Sequence, residues 1–217
     1  MHARREYTLF DRLLIVGAPL LLAVVEVFHP QPHELLNLDV HTWLAVHYAQ
    51  VALFPLAALA VAWLVRDRAG IAASICRVAM FVFAAAWTAW DAVAGVATGI
   101  LVDAAHKSPA VDVWRAPIDA IWTHPVMGGM PGTGPNFAVL GAVALSVGAI
   151  AAGVTLKRAG YSWPPLAVLV ASSFGITIFQ THAWPGGPVT FGGFALASAW
   201  LLRESRLEAV PDPRPFA

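Results

Sequence analysis

A single cysteine, Cys76, stands in 217 residues, so no internal disulfide can form, and it reads as packing. Charge is nearly as scarce: 12% of the residues are Asp, Glu, Lys or Arg, and the two signs cancel to a net charge of zero. No basic patch interleaved with aromatics is present, so no nucleic-acid partner is expected. The glycine-rich run from Gly128 to Pro135 lacks the preceding strand and the following Lys-Ser/Thr of a phosphate cradle, and reads as a strap. No internal repeat of fixed period occurs.

Apolar length is what the chain has in quantity. Hydrophobic residues make up 59% of it, with a mean hydropathy of +0.68, and runs of the roughly 20 residues needed to cross a bilayer recur along it. The fold class expected is all-α: a polytopic transmembrane bundle of six helices. Their spans are about 9–28, 42–65, 75–102, 135–156, 164–181 and 189–202, the last short for a full crossing. One transmembrane domain covers residues 1–205, and 206–217 form a polar C-terminal tail. The first apolar run carries Glu26 and ends at His-Pro with no small-residue cleavage site, so it reads as a retained helix, not a signal peptide.

The long connection between helices 3 and 4 holds Val111, Trp114, Ile118, Ile121 and Trp122 on one stripe. This predicts a short amphipathic interfacial helix starting near Ser108-Pro109 and broken near Pro117. In a six-helix topology, Arg4, Arg5, Arg12, Arg66, Arg68, Arg77, Lys157, Arg158, Arg203, Arg206 and Arg214 fall on one side, with only Lys107 and Arg115 on the other. The positive-inside rule then puts both termini in the cytoplasm and the chain in the plasma (inner) membrane.

That orientation gathers His29, His33, His41, His47, His106, His124 and His182 at the extracytoplasmic face, beside Glu34, Asp39, Asp103, Asp112 and Asp119. Neutral imidazole is a good ligand for zinc, copper or haem iron. The ligand candidates are His29, His33, His47 and His182, although His33 also reads as a solvated rim residue. Local spacing gives weak support: His41 and His47 lie six apart on different helix faces, and no His-Glu-x-x-His pair exists.

Glu26 and Asp91 lie within apolar helices, where an ionisable group costs roughly 2.5–3.5 kcal/mol or more and usually faces a partner or a cavity. Thr88, Asp91, Gly95 and Thr98 share one face of helix 3, and Gly95-x-x-x-Gly99 permits close helix contact. The bland reading of Asp91 is a protonated packing residue bonded to a neighbouring helix.

The functional reading makes Asp91 the floor of a pocket under the amphipathic segment, with Glu26 and His29, His47 and Gln50, and Gln180 and His182 converging on it. Three functions follow. The first is a metal ion or haem held in an extracytoplasmic His/carboxylate pocket, with a redox or hydrolytic role. The second is a lipid or isoprenoid enzyme with Asp91 or Glu26 as catalytic acid and Trp43, Trp87 and Trp90 holding a cationic intermediate. The third is a proton-linked transporter. The partners expected are the lipid bilayer and a lipid or small-molecule ligand.

Overall fold

The computed structural model describes residues 7–129 and 136–207. His2, Arg4, Arg5, the strap residues 130–135 with the expected helix start at Pro135, and the tail beyond 207 with Arg214 lie outside the described residues. Those described are helical or in turns and links, without a strand.

Helix α1 covers residues 9–27. Thr8 and Asp11 close a capping box at its start, and a π-helical stretch, Leu13–Gly17, interrupts it. Pro30 and Pro32 keep the chain beyond it out of helix. Helix α2, Val40–Leu64, begins two residues earlier than the apolar pattern predicts because Asp39 caps it, accepting hydrogen bonds from Thr42 N and from Thr42 Oγ1 at 2.6 Å. These bonds hold the Asp39 carboxyl below its ordinary range.

Helix α3, Ile71–His106, outruns its expected span by a turn at each end, since nothing between Gly70 and Lys107 breaks it. Gly70 supplies the left-handed entry, φ 105°. A second π stretch, Asp91–Ala97, lies in its middle. Helix α4, Arg115–Trp122, follows a single 3-10 turn at Val111–Trp114. Pro117 does not break it as the sequence suggests: the proline sits in the first turn, where its missing N–H would have had no intrahelical acceptor. Ile118 is the anchor of this segment, fully buried against Leu36, Leu38 and Val102.

Helix α5, Phe137–Arg158, is capped by Asn136 Oδ1 on Val139 N at 3.0 Å. Helix α6, Trp163–Phe179, bends at 173–174, where Ser172 and Ser173 turn their hydroxyls back onto Val168 O and Val170 O, both 2.7 Å. Gln180, in the left-handed region at φ 54°, ends it. Helix α7, Gly186–Leu207, is 22 residues and not the short span expected. Pro188 is tolerated in its first turn, and the charged stretch after Leu202 continues the helix.

Among the described residues, three helices are long and apolar enough to cross a membrane: Val40–Leu64, Ile71–His106 and Phe137–Arg158. Leu13, Leu20, Leu21, Val24, Val78, Phe81, Val143 and Leu196 point outward from α1, α3, α5 and α7. Outward apolar faces of this kind are consistent with an apolar solvent around the three candidate spans.

The most extensive helix pairing joins α3 to α5. It depends on glycine, since a Cβ at Gly141 would fall on the Trp87 indole and one at Gly148 on Met80 Cε. The anticipated close approach at Gly95 and Gly99 is also present: these glycines receive His47, and Trp43 with Leu44, from α2.

One end of the helix set is basic and aromatic. There Arg66 Nη1 reaches Asp11 Oδ1 at 2.5 Å, Trp63 Nε1 donates to the same oxygen at 2.7 Å, and the Tyr7 hydroxyl bonds to Tyr161. At the other end Arg115 Nη1 meets Glu34 Oε1 at 2.6 Å, which raises the Arg115 pKa.

Candidate functional site

Residues far apart in sequence meet in one buried polar group. His47 and Gln50 stand three apart on α2 and so share a face. Asp91 opens the π stretch of α3, Glu26 lies in the last turn of α1, His29 follows just beyond it, and His182 sits in the link between α6 and α7. Glu26, Gln50 and Asp91 are fully buried, His47 is 2% exposed, and the His182 side chain 12%.

Each imidazole is held at Nδ1 by an acceptor. His47 Nδ1 donates to Asp91 Oδ1 at 2.6 Å, His182 Nδ1 to Glu26 Oε2 at 3.1 Å, and His29 Nδ1 to the Pro30 carbonyl at 2.7 Å. Gln50 Nε2 donates to the other Glu26 oxygen at 2.9 Å and passes 3.3 Å from His182 Nδ1. We take the carboxylate as the acceptor of the His182 proton, because a charge-assisted bond is the stronger. Nε2 is then the lone-pair nitrogen on all three rings.

The rings lie together. Centroids are 4.5 Å apart for His29 and His182, 4.9 Å for His29 and His47, and 6.4 Å for His47 and His182. His29 Nε2, His47 Nε2, Asp91 Oδ2 and Gln50 Oε1 are buried without a hydrogen-bond partner among the described residues. Unpaired buried polar atoms are costly, and so many in one place mark a site. As placed, no group of three or more His, Cys, Asp and Glu side chains among the described residues has the arrangement to hold a metal ion.

Aromatic rings wall the group. Trp43 packs 4.3 Å from His47 and 5.3 Å from His29, and its Nε1 donates to Gly95 O at 2.7 Å. Trp87 and Trp90 stand 5.5 and 5.3 Å from His182. Their indole N–H groups are spent on Ala138 O and Gly128 O, each at 2.9 Å, so these rings offer the site only carbon faces and edges.

Glycines set the clearances. A Cβ at Gly95 would fall on the His47 imidazole, and one at Gly187 on the His182 carbonyl and within 2.8 Å of Glu26 Cγ. Gln31 Nε2 anchors the link from the other side by donating to Trp184 O at 2.9 Å.

Of the seven histidines on the expected outer face, three converge. His33 and His41 are exposed, His106 bonds to Leu36 O at 2.7 Å, and His124 Nδ1 caps the backbone N–H groups of Val126 and Met127. His29 and His33 are four apart, the spacing of a helical ligand pair, but α1 has ended before them. Glu26 and His29 therefore do not share a helix face; the turn after Val27 brings them together. Gly187, the Pro30 carbonyl and Gln31 were not singled out from sequence. The Gly186-Gly187 pair before Pro188 was the available signal for close backbone approach.

No protein-family model matches the chain, and no curated protein or solved structure matches it.

Proposed function

We propose that this protein is an integral membrane metalloprotein, holding one transition-metal ion, zinc or copper, through Nε2 of His29, His47 and His182. One observation carries the reading: all three Nδ1 atoms are engaged by a carboxylate or carbonyl, the arrangement metal-binding histidines use to fix their tautomer and raise their basicity. Glu26 and Asp91 act as positioning residues, Asp91 with its second oxygen buried and unpaired. At metal–nitrogen distances of roughly 2.0–2.1 Å, three imidazoles round one ion stand about 5 Å apart; the two pairs that include His29 are near that spacing, and His47 and His182, 6.4 Å apart, would have to draw together.

Three nitrogen ligands leave a coordination position for water or a small substrate, the pattern of a catalytic site. Packing at these ring distances, with Trp43, Trp87 and Trp90 alongside, gives no plane for a porphyrin, which favours a bare ion over haem.

The setting we propose is a six-pass bundle in the plasma membrane, made by α1, α2, α3, α5, α6 and α7. Both termini are cytoplasmic, and the histidine group lies near the extracytoplasmic face, beneath α4. The clustering of Arg66, Arg77 and Lys157 at the Asp11 end, against Lys107 and Arg115 at the other, supports this orientation.

Elemental analysis of the full chain purified in detergent and loaded with zinc or copper tests the proposal. About one ion per chain is expected, retained in His33→Ala and lost when His29, His47 and His182 are all changed to alanine. Equal metal content in both variants would end it. A second reading, a proton relay, is favoured by the two carboxylate–imidazole pairs; it predicts proton flux through metal-free protein in liposomes.

A further inference from the structure

The basic end of the molecule carries a cavity unconnected with the histidine group. It is about 460 Å³ and runs between α1 and α7, with Arg12 and Arg203 at its polar end and Leu13, Val16, Gly17 and Leu202 along its wall. Both arginines are without an ion-pair partner among the described residues. The carboxylates nearest in sequence are committed elsewhere: Asp11 to Arg66, Trp63 and Thr8, and Glu204 to Ser162. Arg12 Nε is buried and unpaired. A guanidinium nitrogen withdrawn from water and left without an acceptor is a demand for an anion.

The backbone shapes the cavity. The π stretch Leu13–Gly17 forms its α1 wall, and a π turn inside an α-helix is a recurrent mark of a functional position. At Gly17 a Cβ would meet nothing within 4 Å, so the space beside it is open. Leu13, which lines the cavity, is 62% exposed. Two guanidinium groups over an apolar trough, at the end where Arg66, Arg68 and Arg77 collect, match a molecule with an anionic head and a hydrocarbon chain.

We infer that this cavity binds one anionic phospholipid, its phosphodiester between Arg12 and Arg203 and an acyl chain along Leu13, Val16 and Leu202. Basic pockets between membrane helices on the cytoplasmic side select such headgroups, each arginine contributing about 1 kcal/mol, or about fivefold in affinity. The occupant is a lipid and not a free phosphate because most of the cavity wall is hydrocarbon.

Native mass spectrometry of the full chain in detergent, titrated with phosphatidylglycerol or phosphatidylcholine, provides the test. One phosphatidylglycerol is expected to stay bound where phosphatidylcholine does not, with about fivefold weaker retention in Arg12→Gln and again in Arg203→Gln. Gly17→Leu places a side chain in the open space beside α1 and is expected to abolish retention without lowering the melting temperature in lipid-free detergent. Equal retention of both lipids, or retention unaffected by these three substitutions, overturns the inference. So does displacement of the lipid by millimolar inorganic phosphate, which would make the site a phosphate site.

Discussion

Asp91 Oδ1 accepts the His47 Nδ1 proton at 2.6 Å while Oδ2 is buried and unpaired, and Glu26 divides its two oxygens between Gln50 and His182. Neither carboxylate reaches an ordinary cationic partner, so each depends on an imidazole for the bond that justifies its depth. Asp91→Asn and Glu26→Gln keep the shape and a hydrogen-bonding oxygen but remove the charge. Each is expected to weaken zinc affinity about 10–100-fold, read by competition with a chromophoric chelator, with the helical circular dichroism unchanged. Metal affinity should also fall as the medium is acidified, since protons compete for Nε2. Trp43→Phe removes the bond to Gly95 O without emptying the ring's place. It should cost about 1 kcal/mol of stability, measured by thermal unfolding in detergent, and leave metal stoichiometry intact.

At the level of the element, the π stretch of α3 brings Asp91 and Gly95 onto His47 together: the carboxylate binds the ring edge and the glycine clears the ring face. Gly95→Ala should therefore displace the imidazole, costing about 1–3 kcal/mol of stability together with metal affinity. Gly17→Ala, facing open space, should stabilise by about 1 kcal/mol through helix propensity.

Much of this level was legible in the chain. Apolar runs located the six long helices, and the cost of an intramembrane carboxylate drew attention to Glu26 and Asp91. The spacing of Gly95 and Gly99 pointed to a close helix contact, and the structure supplies α2 as the partner. The ends of α3 and the length of α7 were not legible, because a charged helical turn such as the one after Leu202 has the composition of a loop. Convergence was harder still. His182 reaches Glu26 across 156 residues, and Pro30 and Pro32 send His33 into solvent while His29 turns inward, a choice that no local spacing encodes.

Over the whole molecule, the two ends differ in charge and the histidine group lies nearer the acidic one, under α4 and the Glu34–Arg115 ion pair. The proposed orientation is open to single-cysteine labelling in a Cys76→Ser background. His33→Cys should react with a membrane-impermeant maleimide added to intact cells, and Arg158→Cys only after permeabilisation. The reverse pattern would invert the topology and put the metal site on the cytoplasmic side.

The central claim is that His29, His47 and His182 ligate one ion. X-ray absorption at the metal edge of the zinc-loaded full chain addresses it most directly. The account predicts about three imidazole nitrogens at 2.0–2.1 Å, with their outer-ring scattering lost in the triple alanine variant and kept in His33→Ala. A shell of water oxygens alone, or a spectrum the triple variant leaves unchanged, would contradict it.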